Sequence, residues 1–410
     1  MSKSNETTPN VPTLRFKQFQ DKWSSKRLSD IAEVVGGGTP DTTDSTLWNG
    51  GIQWFTPTEV GHSKYVSMSA RTISQLGLQK SSAKILPAGS ILLSSRATVG
   101  ECSITQKDCT TNQGFQNLIP KKGINNEFLY YLAQTQKRHF IKYASGSTFL
   151  EISNSEIKKT KCAIPSIEEQ TEIATFLSSI DRKIEVQNKI ISKYETLIKG
   201  LKNQLYSRKA RFTSHNKIPF PKWEKKQLSE ILSISTEKNG SQYSKEKVLS
   251  VSDEYGVVNQ IKFQGKSFAG QDISNYKVVK SGQIIYTRSP LAAKPFGIIK
   301  IVGNEIGIVS PLYIVNTVNN GYDALFIFYL FDTPQSTNNY LKPLVRVGAK
   351  HTMNISNDEW LSGTVIIPCL EEQKMIAGVL QSIDKKISFE KKVLEILKEQ
   401  KTYLLSKMFI

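Results

Sequence analysis

The sequence predicts a mixed α/β (α+β) protein: two globular domains separated by two long helices that form an antiparallel coiled coil, an internal pseudo-twofold repeat. Three observations carry that expectation. Short motifs recur at one fixed offset, two segments keep heptad spacing, and the stretches between them read as strands joined by polar loops.

The repeat comes first. Ile152-Ser153-Asn154 returns as Ile355-Ser356-Asn357, an offset of 203 residues (152 to 355). Ile164-Pro165 with Glu168-Glu169-Gln170 returns at that offset as Ile367-Pro368 with Glu371-Glu372-Gln373, and Ile180-Asp181-Arg182-Lys183-Ile184 as Ile383-Asp384-Lys385-Lys386-Ile387. The halves also begin alike, with Trp23 before Lys26-Arg27-Leu28-Ser29-Asp30-Ile31 and Trp223 before Lys226-Gln227-Leu228-Ser229-Glu230-Ile231. Between these anchors only Gly89-Ser90-Ile91-Leu92 ending in Arg96 faintly echoes Gly282-Gln283-Ile284-Ile285 ending in Arg288. Even drift after duplication would not preserve the helices while the intervening domains diverge. The asymmetry implies that the helices meet a common partner and the globular parts meet different targets. The expected division is a globular domain over residues 1–165, a helix over 166–212, a second domain over 213–368 and a second helix over 369–410.

Each helix opens after Ile-Pro, where proline disfavours helix in the residue before it. Acids in the first turn (Glu168, Glu169; Glu371, Glu372) suit the helix dipole. In the first helix Leu177, Ile184, Ile191, Ile198 and Leu205 share one heptad position, and Ile180, Gln187, Tyr194 and Leu201 the other. In the second, Leu380, Ile387, Leu394 and Met408 alternate with Ile383, Leu397 and Leu404, while Lys401 interrupts the seam. Such narrow stripes need a partner, most simply each other. Late in the helices Lys202 and Ser207 match Lys401 and Ser406 at an offset of 199 (202 to 401), close to one turn short of 203. A rod of about 40 residues would span about 60 Å and could hold two domains apart.

In the first domain, strands are expected near 91–93 and 115–119 and a helix over 127–142. In the second, strands are expected over 278–287, 296–302 and 306–315, with a helix over 323–331. Polar loops join them, including Gly36-Gly37-Gly38-Thr39-Pro40, Ser94-Ser95-Arg96-Ala97-Thr98, Thr111-Asn112-Gln113-Gly114 and Arg346-Val347-Gly348-Ala349-Lys350-His351-Thr352.

Charge suggests what such loops meet. Fifty-four Lys and Arg against 36 Asp and Glu leave +18, which favours a polyanion because each neutralised phosphate releases counterions. Hydroxyls, amides and isolated cations are also what phosphates and base edges require. The DNA-binding candidates are Thr39, Ser94, Ser95, Arg96, Thr98, Asn112, Gln113, Lys142, Ser147 and Thr148 in the first domain. In the second they are Arg288, Ser289, Lys294, Arg346, Lys350, His351 and Asn354. Ordinary turn chemistry explains any one of these loops as well. For Trp48, Trp54 and Trp223, core packing is preferred to base stacking.

No catalytic constellation emerges. Gly265-Lys266-Ser267 ends like a phosphate loop, but Gln260 stands where the earlier glycine belongs. Gly36-Gly37-Gly38 lacks dinucleotide spacing. Asp181-Arg182-Lys183 and Asp384-Lys385-Lys386 read as a solvated helix face. Four scattered histidines suggest no metal set, and Cys102, Cys109, Cys162 and Cys369 read as free thiols in a reducing cytoplasm. No apolar run approaches the ~20 residues of a membrane span, and residues 1–10 carry no export signal.

The doubled Ile-Pro-x-Leu/Ile-Glu-Glu-Gln helix opening and the Ser-Ile-Asp-Arg/Lys-Lys-Ile run resemble the specificity (S) subunits of Type I restriction-modification systems, the HsdS family. Leu14-Arg15-Phe16 leading to Trp23, Phe220-Pro221 before Trp223, and Gly37-Gly38-Thr39-Pro40 leading to Trp48-Asn49-Gly50-Gly51 extend the resemblance over nearly the whole chain. It implies that each globular part is a target-recognition domain reading half of a bipartite, asymmetric site in double-stranded DNA. It also implies that the helices pack antiparallel, set the unread spacer and dock two methyltransferase (M) subunits, beside two restriction (R) subunits. S-adenosylmethionine, ATP and Mg would then belong to those partners, with no cofactor and no catalytic residue in this chain. The alternative is a basic coiled-coil adaptor that binds protein or RNA.

Overall fold

The computed structural model describes residues 11–146, 150–214, 216–288, 291, 293–347 and 353–410, and for 346–347 and 353–354 the backbone only. By internal contacts the chain divides into one unit of residues 1–190 with 390–410 and a second of residues 191–389. Each contains a mixed α/β domain and a section of both long helices.

The long helices run Ile167–Tyr206 and Leu370–Met408. The predicted seam is inward: Leu177, Ile180, Ile191, Ile198, Leu205, Leu380, Ile387, Leu394, Leu404 and Met408 are buried, and Ile184, Tyr194, Leu201, Ile383 and Leu397 half-buried. In the first unit Asp181 meets Lys401 at 2.7 Å while Gln187 meets Glu390, so numbering rises on one helix as it falls on the other. The pair is antiparallel. Gln187 Nε2 donates to the Glu390 carbonyl at 3.0 Å and to its carboxylate at 2.5 Å. A satisfied polar pair inside an apolar seam penalises slipped registers, which would strand both groups.

The first unit's domain is built on a five-stranded sheet ordered Ala32–Gly36, Gln116–Pro120, Ile91–Leu93, Cys102–Thr105, Tyr65–Val66. A three-stranded sheet places Trp48–Phe55 between Arg71–Ile73 and Cys109–Thr111. The core gathers Ile91, Leu93, Ile104, Phe128, Leu129 and Tyr131 with Leu177 and Ile180 of the first long helix, Leu404 and Met408 of the second, and Phe409 just past its end. Trp48 and Trp54 are buried as expected, their rings 5.0 Å apart and edge-to-face.

The second unit's domain has a four-stranded sheet ordered Leu232–Ile234, Ile314–Val318, Ile284–Thr287, Ile298–Ile301. Its core joins Tyr286, Ile314, Phe326 and Trp360 to Ile198, Leu205, Ile376 and Leu380 of the long helices.

Local differences from the expectation have local causes. The helix expected over 127–142 is two, Asn126–Thr135 and Lys137–Tyr143, meeting at Gln136, whose N–H bonds to Leu132 and Ala133 carbonyls. The strand expected over 278–287 breaks into Lys277–Val279 and Ile284–Thr287 at Gly282, which sits at φ +83. That over 306–315 breaks into Gly307–Val309 and Ile314–Val318 at a turn closed by Tyr313 N–H to Ser310 O. Gly265, the glycine of the false phosphate loop, is the left-handed cap of helix Gln260–Gln264.

Candidate nucleic-acid interface

Two joints recur in both units and fix each domain to the long helices. In the first unit Arg15 donates from Nε and Nη2 to both carboxylate oxygens of Glu169, each at 2.7 Å, and Nη2 also reaches Asp21 O. In the second, Arg211 grips Glu372 the same way at 3.1 and 2.6 Å and reaches Pro221 O. Both carboxylates are buried. The second glutamate of the repeated motif therefore anchors a clasp rather than merely complementing a dipole. The following glutamine completes it. Gln170 accepts the Asn125 N–H and donates to Pro165 O, and Gln373 accepts the Asp323 N–H and donates to Pro368 O. Asn125 and Asp323 are the N-caps of the domain helices Asn126–Thr135 and Ala324–Leu330.

The second joint lies further along. Tyr131 donates to Asp181 and Tyr329 to Asp384, both at 2.6 Å. Asp181 also pairs with Lys401, while Lys202 pairs with Asp332 and lies over the Tyr329 ring at 5.0 Å. Lys401 lies over Tyr131 at 5.6 Å. The lysine correspondence at offset 199 thus has a shared role. The expectation that both aspartates face solvent is corrected, because each is covered by a tyrosine of its domain. Burial, partly opposed by Tyr329 and Lys202, raises the Asp384 pKa. Around Tyr131 the first unit opens a charged cleft of about 880 Å³ lined by Lys64, Glu127, Asp181, Arg182, Lys398 and Lys401.

Away from these joints, the polar loops of the first unit converge at one end of its five-stranded sheet. Gly38 N–H bonds to Thr111 O, Ser95 N–H to Gly114 O, and Ile152 N–H to Ser95 O. Glycine is required where they cross: a Cβ on Gly37 would lie 1.9 Å from Asn112 O. Thr39 is hydrogen-bonded to Gln113, and Asn112 Oδ1 accepts the Gly114 N–H at 2.9 Å. Arg96, Thr98, Gln113 and Lys142 are exposed, and Thr39 and Asn112 half-buried. Ser94 and Ser95 are wholly buried, so their hydroxyls present no surface; Ser94 Oγ is used on Arg96 O and Thr98. Beside the edge strand Ala32–Gly36, a groove of about 470 Å³ collects Lys84, Lys121, Lys158 and Asn154.

In the second unit Arg288 follows the central strand and is half-buried. Lys294 is 4% exposed and committed to Asp253 at 2.6 Å, leaving it a structural cation. Arg346 and Asn354 face each other across a short antiparallel pair. Ser147, Thr148, Ser289, Lys350 and His351 lie outside the described residues.

Sequence reasoning missed Glu169, Glu372, Arg211, Tyr131 and Tyr329. One signal was present: Arg15-Phe16 and Arg211-Phe212 each precede the matched tryptophan. The thiols of Cys102 and Cys109 are pushed up to about 12 and about 11, chiefly by burial. Among the described residues no group of three His, Cys, Asp or Glu side chains is placed to hold a metal, and no helix is long and apolar enough to cross a membrane.

Two α/β domains, each clasped to paired long helices by the same contacts while their strand-end loops differ, define a duplicated protein with a constant scaffold and variable surfaces. The family described as Type I restriction modification DNA specificity domain matches residues 20–196 and again residues 221–399, and the chain belongs to it. The MjaIX specificity subunit of Methanocaldococcus jannaschii is 37% identical over 234 residues, 54% of each chain. The EcoR124I/EcoR124II specificity subunit of Escherichia coli is 27% identical over 203 residues, 45% of this chain and 50% of that one. The chain thus spans about half the length of these two relatives. The S subunit of a Type I restriction-modification system from M. genitalium shares the fold, with a TM-score of 0.58 at 17% identity over 98% of this chain and 99% of that one. A chain from a structure of type I R-M complex assembly and conformational transition aligns at TM-score 0.52 and 14% identity, covering 94% and 97%.

Proposed function

We propose that this chain is the DNA-specificity subunit of a Type I restriction-modification complex and performs no catalysis itself. Residues 1–165 and 213–368 are the two target-recognition domains, and residues 166–212 and 369–410 are the helical spacers. Each domain reads one half of a bipartite, asymmetric site in double-stranded DNA. A 40-residue helix rises about 60 Å, enough to set the unread spacer between half-sites. The helices dock two methyltransferase subunits, which bring S-adenosylmethionine, and two restriction subunits bring ATP and Mg, all in the cytoplasm.

The observation that supports this reading best is the contrast within each unit. The arginine, glutamine and tyrosine contacts to the helices repeat atom for atom, whereas the loops at the sheet ends share almost no residues. Arg96, Thr98, Gln113 and Lys142 in the first domain are the contacts to DNA that their exposure supports, and in the second Arg288, half-buried at a strand end, is the candidate.

The test is the methylated adenine motif of the host genome. Exchanging residues 213–368 for the corresponding domain of a relative should change one half-site and leave the other intact. Inserting four residues near Tyr194 should lengthen the spacer by about one helical turn's reach and preserve both half-sites. Simultaneous change of both half-sites after the exchange would defeat independent reading by the two domains.

A further inference from the structure

The second unit accumulates cations around the end of its central strand with little to balance them. Strand Lys277–Val279 places Lys277 opposite Lys238 in an antiparallel bridge. Lys277 Nζ is held by the Tyr313 carbonyl at 2.5 Å, an uncharged partner. Lys238 Nζ is likewise held by a neutral group, Asn275 Oδ1, at 3.1 Å. Arg288 emerges one residue past Ile284–Thr287, and its Nε is buried with no hydrogen-bond partner among the described residues. The acid beside Lys238, Glu237, is taken by Lys280 at 2.6 Å, and Asp272, the nearest acid along the chain to Lys277, accepts the Ser274 N–H at 2.8 Å.

The Tyr313 carbonyl that holds Lys277 adjoins Ile314, the cross-strand partner of Tyr286, so Lys277 reaches the strand end from which Arg288 emerges; burial and the Arg288 charge both lower the Lys277 pKa. Two cations sharing a partly desolvated site repel each other unless an anion enters between them. The buried Nε leaves this half-buried guanidinium without an internal acceptor, and an incoming oxyanion meets its terminal nitrogens, reaching Nε only after a local shift. The first unit is different: its matching arginine, Arg96, faces Glu151 at 3.9 Å.

We propose that Lys277 and Arg288, with Lys238 at the rim, form a phosphate seat that grips one strand of duplex DNA beside the second domain. The seat rests on the DNA-reading function given above and names where that domain holds the backbone. It positions the duplex and reads no base. An Arg offers several donors to one phosphate, and the Lys supplies a point charge, so the pair suits an oxyanion rather than a base edge.

The test uses the full chain assembled with its methyltransferase and measures duplex affinity across a salt series for cognate and unrelated sequences. Arg288→Gln and Lys277→Gln should each flatten the slope of log affinity against log salt by about one. They should weaken both duplexes by the same factor and leave the methylated motif unchanged. Arg288→Lys should restore most of the slope, which also guards against a mere folding defect. An unchanged slope in the glutamine variants would overturn the seat, as would loss of preference for one half-site at constant slope, which would mark base reading. If the unsubstituted assembly shows no sequence preference at all, the DNA-reading function itself fails, and the seat with it.

Discussion

The two units solve one structural problem with the same joints but with different reserves. In the first, the joint tyrosine Tyr131 is surrounded by Lys64, Ser178 and Asp181, and Trp23 is packed against Phe128 and against Phe409, just past the second long helix. In the second, Tyr329 bonds to Asp384, while a charged chain of Lys202, Asp332, Lys300, Asp253 and Lys294 ties the joint to the sheet and its hairpin. Trp223 is only half-buried and donates to Glu372 at 3.2 Å. Both joints mix ion pairs with aromatic contacts, but a fully buried tryptophan backs the first and a longer chain of charges backs the second. Their shared part is what a common partner would need, and their unshared parts are free to differ.

The sharpest way to break this comparison is at the tryptophans. Trp23→Ala removes a 1%-exposed side chain and should cost about 4 kcal/mol. Trp223→Ala should cost less than half of that, because a half-buried ring leaves a smaller cavity. Thermal unfolding monitored by segment-resolved hydrogen exchange reads each unit separately; equal losses would show that the two anchors are equivalent after all.

Next in size come the clasps. Arg15→Met strands Glu169 in a buried site and should destabilise the first unit by about 3 kcal/mol. Arg211→Met should do less, since Arg211 is 28% exposed against 13% for Arg15 and Trp223 still donates to Glu372. The same exchange measurement checks the order.

The smallest effect is a difference in sign with pH. Burial would raise the Glu127 pKa, but hydrogen bonds from Lys64, Ser178 and Tyr65 overcome it and hold the carboxyl below its ordinary value. Its contribution is present above that value and lost as pH falls through the depressed one. Asp384 is raised, chiefly by burial, so its contribution is present below the ordinary value and lost as pH rises through the raised one. Acidification toward about pH 4 should therefore loosen helix Asn126–Thr135 relative to helix Ala324–Leu330. After correction for intrinsic exchange, parallel behaviour of the two helices would contradict the opposite signs.

Much of the fold was legible because heptads and a fixed offset are patterns that tertiary context seldom erases. Leu177 and Leu380, matched by the repeat, are both fully buried. The sheets were legible in kind but not in extent. Lys280-Ser281-Gly282-Gln283 and Ser310-Pro311 interrupt apolar runs that were read as continuous, and the short polar breaks do not say that the two strands on either side belong to different sheets. Asp181 and Asp384 looked solvated because a helix pattern shows the seam but not which remaining face a domain will cover. Ser94 and Ser95 looked available for the converse reason: a hydroxyl beside a strand end reads as loop, and here the neighbouring loops close over it. Lys294 was selected for its charge, whereas Asp253, distant in sequence, decides its role.

Gln170 and Gln373 hold their domains through backbone amides, those of Asn125 and Asp323, rather than through side chains. A fastening of that kind is indifferent to most of what it fastens. A foreign cassette that begins a helix at that point and carries the tyrosine that meets Asp181 or Asp384 brings the same fastening, so a new head needs no compensating change in the long helices.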